Sequence, residues 1–116
     1  MKTEEVFDQL KNRLKGEPEL PKKVKGVFLW VITKNGKETS KYTVDLKNGA
    51  GAIYEGSPKE GVKADVTLTL DEENLAKLVT GKLNPQQAFM SGKLKLKGNI
   101  MLTQKLQALI GAKAKL

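Results

Sequence analysis

The sequence predicts an α+β fold: a five-stranded, mostly antiparallel sheet with helices packed on one side. Three observations predict it. Residues 3–15 repeat their apolar positions at helical spacing. Residues 24–70 alternate apolar and polar positions between Asn-Gly pairs, and residues 93–97 form a lone lysine-flanked strand between two later helices. The order αββββααβα places strands and helices in separate blocks, which favours a sheet with its helices gathered on one face.

In residues 3–15, Val6, Phe7, Leu10 and Leu14 share an arc of about 100°, one face of an amphipathic helix. Lys2, Lys11 and Arg13 flank that arc, where long cationic side chains can reach lipid headgroups. Docking of this face on the core is the simpler expectation for the resting molecule. Gly16, Pro18 and Pro21 are expected to end the helix and form a linker.

Residues 24–33 place Phe28, Trp30 and Ile32 on one face and Val27, Leu29 and Val31 on the other, as in a central strand covered on both sides. Asn35-Gly36 predicts a tight hairpin into residues 40–46, where Tyr42, Val44 and Leu46 alternate with Lys41, Thr43 and Asp45. Asn48-Gly49 turns into a short strand at residues 50–54, and residues 56–61 form a loop. Residues 64–70 alternate again, with Val66, Leu68 and Leu70 inward.

Asp71 is the expected N-cap of a helix carrying Leu75, Leu78 and Val79. Asn84-Pro85 opens a shorter helix that offers Ala88, Phe89 and Met90. In residues 93–97 Leu94 and Leu96 point inward, and three outward lysines guard a sheet edge.

At 116 residues and 39% hydrophobic, the chain is expected to form a single domain over residues 1–116. The longest apolar run, residues 27–32, is far shorter than the ~20 residues of a membrane span, and residues 1–16 lack the pattern of a secretory leader. A soluble protein is expected.

Histidine and cysteine are both absent, which excludes imidazole acid–base chemistry, thiolate nucleophiles and His- or Cys-held metals. The acids fall at turns, helix starts and polar strand positions, where structural roles account for them. Neither an enzyme nor a cofactor is expected, and no catalytic or metal-ligating residue is assigned.

The formal charge of +8 is uneven: residues 1–73 balance 13 bases against 13 acids, whereas residues 74–116 carry 8 lysines and no acid. Such a cationic surface suits an anionic membrane or another acidic partner. With one arginine among 21 bases and no aromatics alternating with the lysines, nucleic acid is not the expected partner.

Residues 99–110 would be apolar on two helical faces. Leu102, Leu106, Leu109 and Ile110 form one stripe, and Ile100, Met101 and Ala108 lie nearly opposite with Gln104 among them. The second face needs an apolar cover, either more of the protein or a bound molecule in a pocket with a few placed polar groups.

The strings TGKLNPQQAFMSGKLKLKGNIMLTQKLQ (residues 80–107) and ADVTLTLDEENL (64–75), with FLWVITKNG (28–36) and YTVDLKNGAG (42–51), resemble the sterol carrier protein 2 family over nearly the whole chain. The likeness is nearest to copies of the domain linked to larger enzymes. It implies an apolar tunnel between one sheet face and the helices that takes a fatty acid, acyl-CoA or sterol without chemistry.

On that resemblance the expected ligand-binding residues are Phe28, Trp30, Ile32, Leu78, Phe89, Met90, Ile100, Met101, Gln104 and Ala108. Arg13 is added as a partner for a carboxylate. Gln104 would be the polar group inside the tunnel, and Lys2, Lys11 and Arg13 would touch the membrane. Ala114, Lys115 and Leu116 resemble a peroxisomal address. A monomer in the peroxisome, and also in the cytoplasm, engaging the import receptor through that tripeptide is the corresponding expectation. A domain that presents substrate to an enzyme is the first alternative, and a basic nucleic-acid-binding module using the acid-free residues 74–116 ranks behind it.

Overall fold

Residues 3–48, 51–80 and 82–99 are described by the computed structural model. They form, in order, α1 (Thr3–Gly16), α2 (Leu20–Val24), β1 (Val27–Lys34), β2 (Lys37–Asp45), β3 (Ala52–Glu55), β4 (Val66–Asp71), α3 (Glu72–Val79), α4 (Pro85–Met90) and β5 (Leu94–Gly98). The five strands make one sheet in the order β3-β2-β1-β4-β5. Only β1 and β4 run parallel; the other three neighbouring pairs are antiparallel.

The β1–β2 hairpin turns at Asn35 and Gly36, both with positive φ (56° and 81°), the twist that suits a two-residue connection between right-handed strands. Lys34 pairs with Lys37 and Thr33 with Glu38, but Ile32 pairs with Ser40. Thr39 is therefore an extra residue, and its hydroxyl donates to the Ile32 carbonyl at 3.2 Å. This bulge shifts all later pairs by one and sets Trp30 opposite Tyr42.

One face of the sheet holds the core. Phe28, Trp30 and Ile32 of β1 lie level with Val66, Leu68 and Leu70 of β4. Tyr42 and Val44 flank them on one side and Leu94 on the other. Val6, Phe7 and Leu10 of α1, Leu75, Leu78 and Val79 of α3, and Ala88 of α4 complete the same buried cluster.

The opposite face differs from expectation. β1 is central, but Leu29 and Val31 are only half-buried. Their partners are Thr43 and Lys41 on β2 and Thr67 and Thr69 on β4, whose stems shield them sideways, and among the described residues no helix covers them.

Two local expectations also need correction. The segment assigned to a linker contains α2, with Pro21 in its first turn, where the missing N–H costs nothing. Lys25 ends it in the left-handed region, its N–H donating to the Pro21 carbonyl at 2.9 Å. Val24 therefore belongs to this helix and β1 starts at Val27. Asp71 does precede α3, but its carboxylate accepts from the Thr33 hydroxyl and makes no side-chain cap. Asn84 caps as expected, accepting from the Gln86 N–H at 2.8 Å.

Asp65 fastens one corner of the sheet. Its carboxylate accepts from the Val27 N–H at 2.9 Å, its own N–H donates to the Val27 carbonyl at 2.8 Å, and its carbonyl accepts from the Asn99 N–H at 2.8 Å. Gly98, at φ +108°, passes so close that a Cβ there would lie 2.5 Å from the Asp65 carbonyl oxygen.

Asp45 closes β2. Its carboxylate accepts from the N–H groups of Lys47 and Asn48 and from the Asn48 side chain, each at 3.0 Å. Burial raises its pKa, but these hydrogen bonds, Asn48's side chain foremost, outweigh it and hold the carboxyl below its usual 3.8.

Two predictions test these corners. Gly98→Ala should lower stability by about 2–4 kcal/mol, combining backbone strain with a steric clash. Gly16→Ala, with no atom within 4 Å of a new Cβ, should leave the melting temperature unchanged or raise it. Asp45→Asn should cost about 1–2 kcal/mol at neutral pH. Because the folded pKa is depressed, this stabilisation is present above about pH 4 and is lost as pH falls through the folded value. Denaturation curves of wild type and Asp45→Asn should therefore converge in acid.

Candidate ligand-binding interior

The centre of the buried face is aromatic. Trp30, between Tyr42 and Leu68 in the register, is fully buried. Phe7 comes down from α1, stacking on Tyr42 at 4.1 Å with the rings 9° apart and meeting Trp30 edge-on at 6.0 Å and 74°. One side chain thus locks the first helix onto two strands through paired aromatic contacts.

Phe28 and Ile32 flank Trp30 on β1, and Leu78 reaches the same cluster from α3; all three are buried. Four of the expected lining residues, Phe28, Trp30, Ile32 and Leu78, therefore meet in one apolar layer. The Trp30 indole N–H is buried and has no acceptor among the described residues. Tyr42 is nearly buried, and burial, then the carboxylates of Glu55, Glu4 and Asp8, raises its pKa, so its phenol stays neutral.

Phe89 and Met90 stand apart from that layer. They lie on α4, which packs against β5, and are 42% and 78% exposed. They are the large exposed hydrophobics among the described residues. Ala88, one position earlier, faces inward and is fully buried.

Arg13, near the end of α1, has a side chain only 10% exposed, and its Nε donates to the Glu17 carboxylate at 2.6 Å. A ligand carboxylate approaching this guanidinium would have to share it with Glu17. Lys11 is more exposed and lies 4.0 Å from Asp8, a pairing that contributes little in solvent. Ile100, Met101, Gln104, Ala108, Lys2, Ala114, Lys115 and Leu116 lie outside the described residues.

Sequence reasoning did not single out Phe7 and Tyr42 as partners of Trp30, although both had been assigned inward faces. The signal was present in the apolar arc of α1 and the alternation of β2. Their convergence depends on the offset at Thr39. Away from this layer, clefts of about 430 and 350 Å³ flank the Thr33–Asp71 hydrogen bond. Both are open clefts with charged side chains in their walls, Glu72, Glu73 and Lys77 in one and Lys93 and Lys95 in the other.

Comparison with known proteins gives a consistent result. The model of the SCP-2 sterol transfer family matches residues 7–111. Peroxisomal multifunctional enzyme type 2 of Mus musculus is 49% identical over 112 residues, which is 96% of this chain and 15% of that enzyme. The chain thus corresponds to a small part of this relative. Among solved structures, apo sterol carrier protein 2 from Yarrowia lipolytica aligns with a TM-score of 0.78 at 31% identity, over 90% of this chain and 86% of the other. The Aedes aegypti sterol carrier protein-2 complex with the C16 fatty acid palmitate aligns at 0.77 and 27% identity, over 97% and 96%.

The aromatic clasp yields a direct test. Phe7→Ala removes a buried ring and should cost about 3–5 kcal/mol, with Phe7→Leu costing less. Denaturant titration followed through the single tryptophan should show both losses. Folded Phe7→Ala should also emit from Trp30 at longer wavelength, because its neighbourhood becomes wetter.

Proposed function

The chain belongs to the SCP-2 sterol transfer family, and from that premise we propose that it is a non-catalytic lipid carrier. It would enclose a fatty acid, fatty acyl-CoA or sterol between the apolar sheet face and the helices. The observation that carries this reading is the likeness, over 97% of the chain, to a relative solved with palmitate bound. The interior supports it: the cluster around Trp30 joins hydrophobic side chains from β1, β2, β4, β5, α1 and α3. Of the buried polar residues Thr3, Thr43 and Asp45, Thr3 begins α1, and the other two occupy the other face and a strand end, in structural hydrogen bonds.

In this reading Phe28, Trp30, Ile32 and Leu78 form the floor and roof nearest the sheet centre. Phe89 and Met90 belong to an outer apolar margin, and Ile100, Met101, Gln104 and Ala108 complete the lining. Arg13 serves a carboxylate headgroup. Transfer is a matter of affinity alone, since an enclosed alkyl chain gains about 0.8 kcal/mol per buried methylene. Docking on anionic membranes through Lys2, Lys11 and Arg13 would be transient and weakened by salt. The protein would act as a monomer in a peroxisomal or cytoplasmic setting; the peroxisomal name of the mouse relative supports the former.

A second reading is favoured by one observation: the matching region of the mouse relative is a small part of a multifunctional enzyme. The same interior would then present a lipid substrate to a fused or partner active site.

Native mass spectrometry of the purified protein should show a retained lipid. A fluorescent fatty acid should bind at micromolar concentration or tighter, and saturated fatty acids should displace it about fourfold more effectively per added methylene. A protein that carries no lipid and takes up no probe would overturn the carrier reading. Vesicle-to-vesicle transfer separates a free carrier from a presenting domain, which would bind lipid equally well without transferring it.

A further inference from the structure

Trp30 poses a problem that its neighbours do not solve. The indole N–H is a donor only and has no lone pair with which to adapt. In this chain it is fully buried at the middle of the central strand without an acceptor among the described residues. Its described neighbours are Phe7 edge-on, Tyr42 opposite on β2, whose phenol oxygen does not accept from it, Leu68 on β4, and Phe28 and Ile32 two positions away along β1. A phenylalanine would pack there with no unmet donor. Buried donors are normally satisfied, so one left open inside a proposed ligand-binding interior points to an acceptor supplied by the ligand.

We propose that the Trp30 N–H is the hydrogen-bond donor that holds the oxygen-bearing end of the guest, and that it selects lipids with a neutral oxygen acceptor. An ester or thioester carbonyl, or a hydroxyl, fits this site. The inference rests on the carrier reading and adds to it an orientation and a selectivity. A hydrocarbon leaves the indole unmet. A free carboxylate placed here would be stripped of water with one neutral donor in return, which does not compensate its charge. The polar group of the preferred guest therefore lies deep, at the level of the Trp30–Tyr42 pair, with its hydrocarbon body running outward.

The chain has one tryptophan, so its indole gives a single N–H resonance in the nitrogen-15 spectrum. The test titrates 1-dodecanol, methyl dodecanoate and dodecane into labelled wild-type protein, with occupancy read independently by displacement of a fluorescent fatty acid. The expected result is a downfield indole proton shift with the alcohol and the ester and none of that kind with dodecane. Trp30→Phe changes the packing for every guest, so the reading is the difference: dodecanol should lose about tenfold more affinity than dodecane, the worth of one buried hydrogen bond.

If the oxygenated chains displace the probe but leave the indole where dodecane leaves it, the inference fails and the carrier reading stands. That is also the outcome if an interior water satisfies the donor. Equal losses for dodecanol and dodecane in Trp30→Phe would likewise overturn it. If the fluorescent fatty acid itself does not bind, the carrier reading fails and takes this inference with it.

Discussion

The seating of the Phe7 ring on the Trp30–Tyr42 pair is the contact on which the rest of this molecule depends. β1 and β2 alone would offer an apolar face to water, and α1 alone would be a short amphipathic helix of marginal stability. The aromatic contact joins them at the centre of the sheet, where burial is deepest and offset stacking and edge-to-face geometry can both be satisfied by one ring. α3 then covers the β4 side of the same face with Leu75 and Leu78. Among the described residues, helices on one side and a lysine-bearing face without them on the other follow from this asymmetry.

That asymmetry separates two kinds of chemistry. The helix-covered face holds apolar side chains and an indole donor with no acceptor among the described residues. The open face carries Lys41, Lys95 and Lys97 beside Thr43, Thr67 and Thr69, with Leu29 and Val31 half-sheltered among them. The same strands serve both because alternation sends successive residues to opposite sides. A lipid carrier needs this division, since its interior must be indifferent to water while its surface stays soluble near charged membranes.

Much of the fold was legible in the sequence because its strongest signals are local. Asn35-Gly36 adopts the positive-φ turn that such a pair predicts, Asn84-Pro85 caps and opens α4, and the lysine-flanked strand lies at the sheet edge. What was not legible depends on contacts distant in sequence. Pro21 was taken for a breaker, although at a first turn it starts a helix as readily as it ends one. Asp71 has the identity and position of a cap, yet Thr33, 38 residues away, engages its carboxylate. Counting back from the two-residue turn would place Lys41 opposite Trp30; the extra Thr39 puts Tyr42 there, and only alternation hinted at it. Of the interior, Phe28, Trp30, Ile32 and Leu78 followed from facing rules, whereas Phe89 and Met90 sit at a margin that helical spacing alone does not distinguish from a core.

The arrangement at Asp65 has a mechanical meaning. One residue ties the beginnings of β1 and β4 to Asn99, just past the end of β5, and Gly98 fits so tightly beside it that no side chain could intervene. Three strands thus share one anchor at this corner of the sheet. The ladders that meet there are therefore fixed in register together, so a disturbance of this corner would slacken β1, β4 and β5 at once rather than one strand at a time.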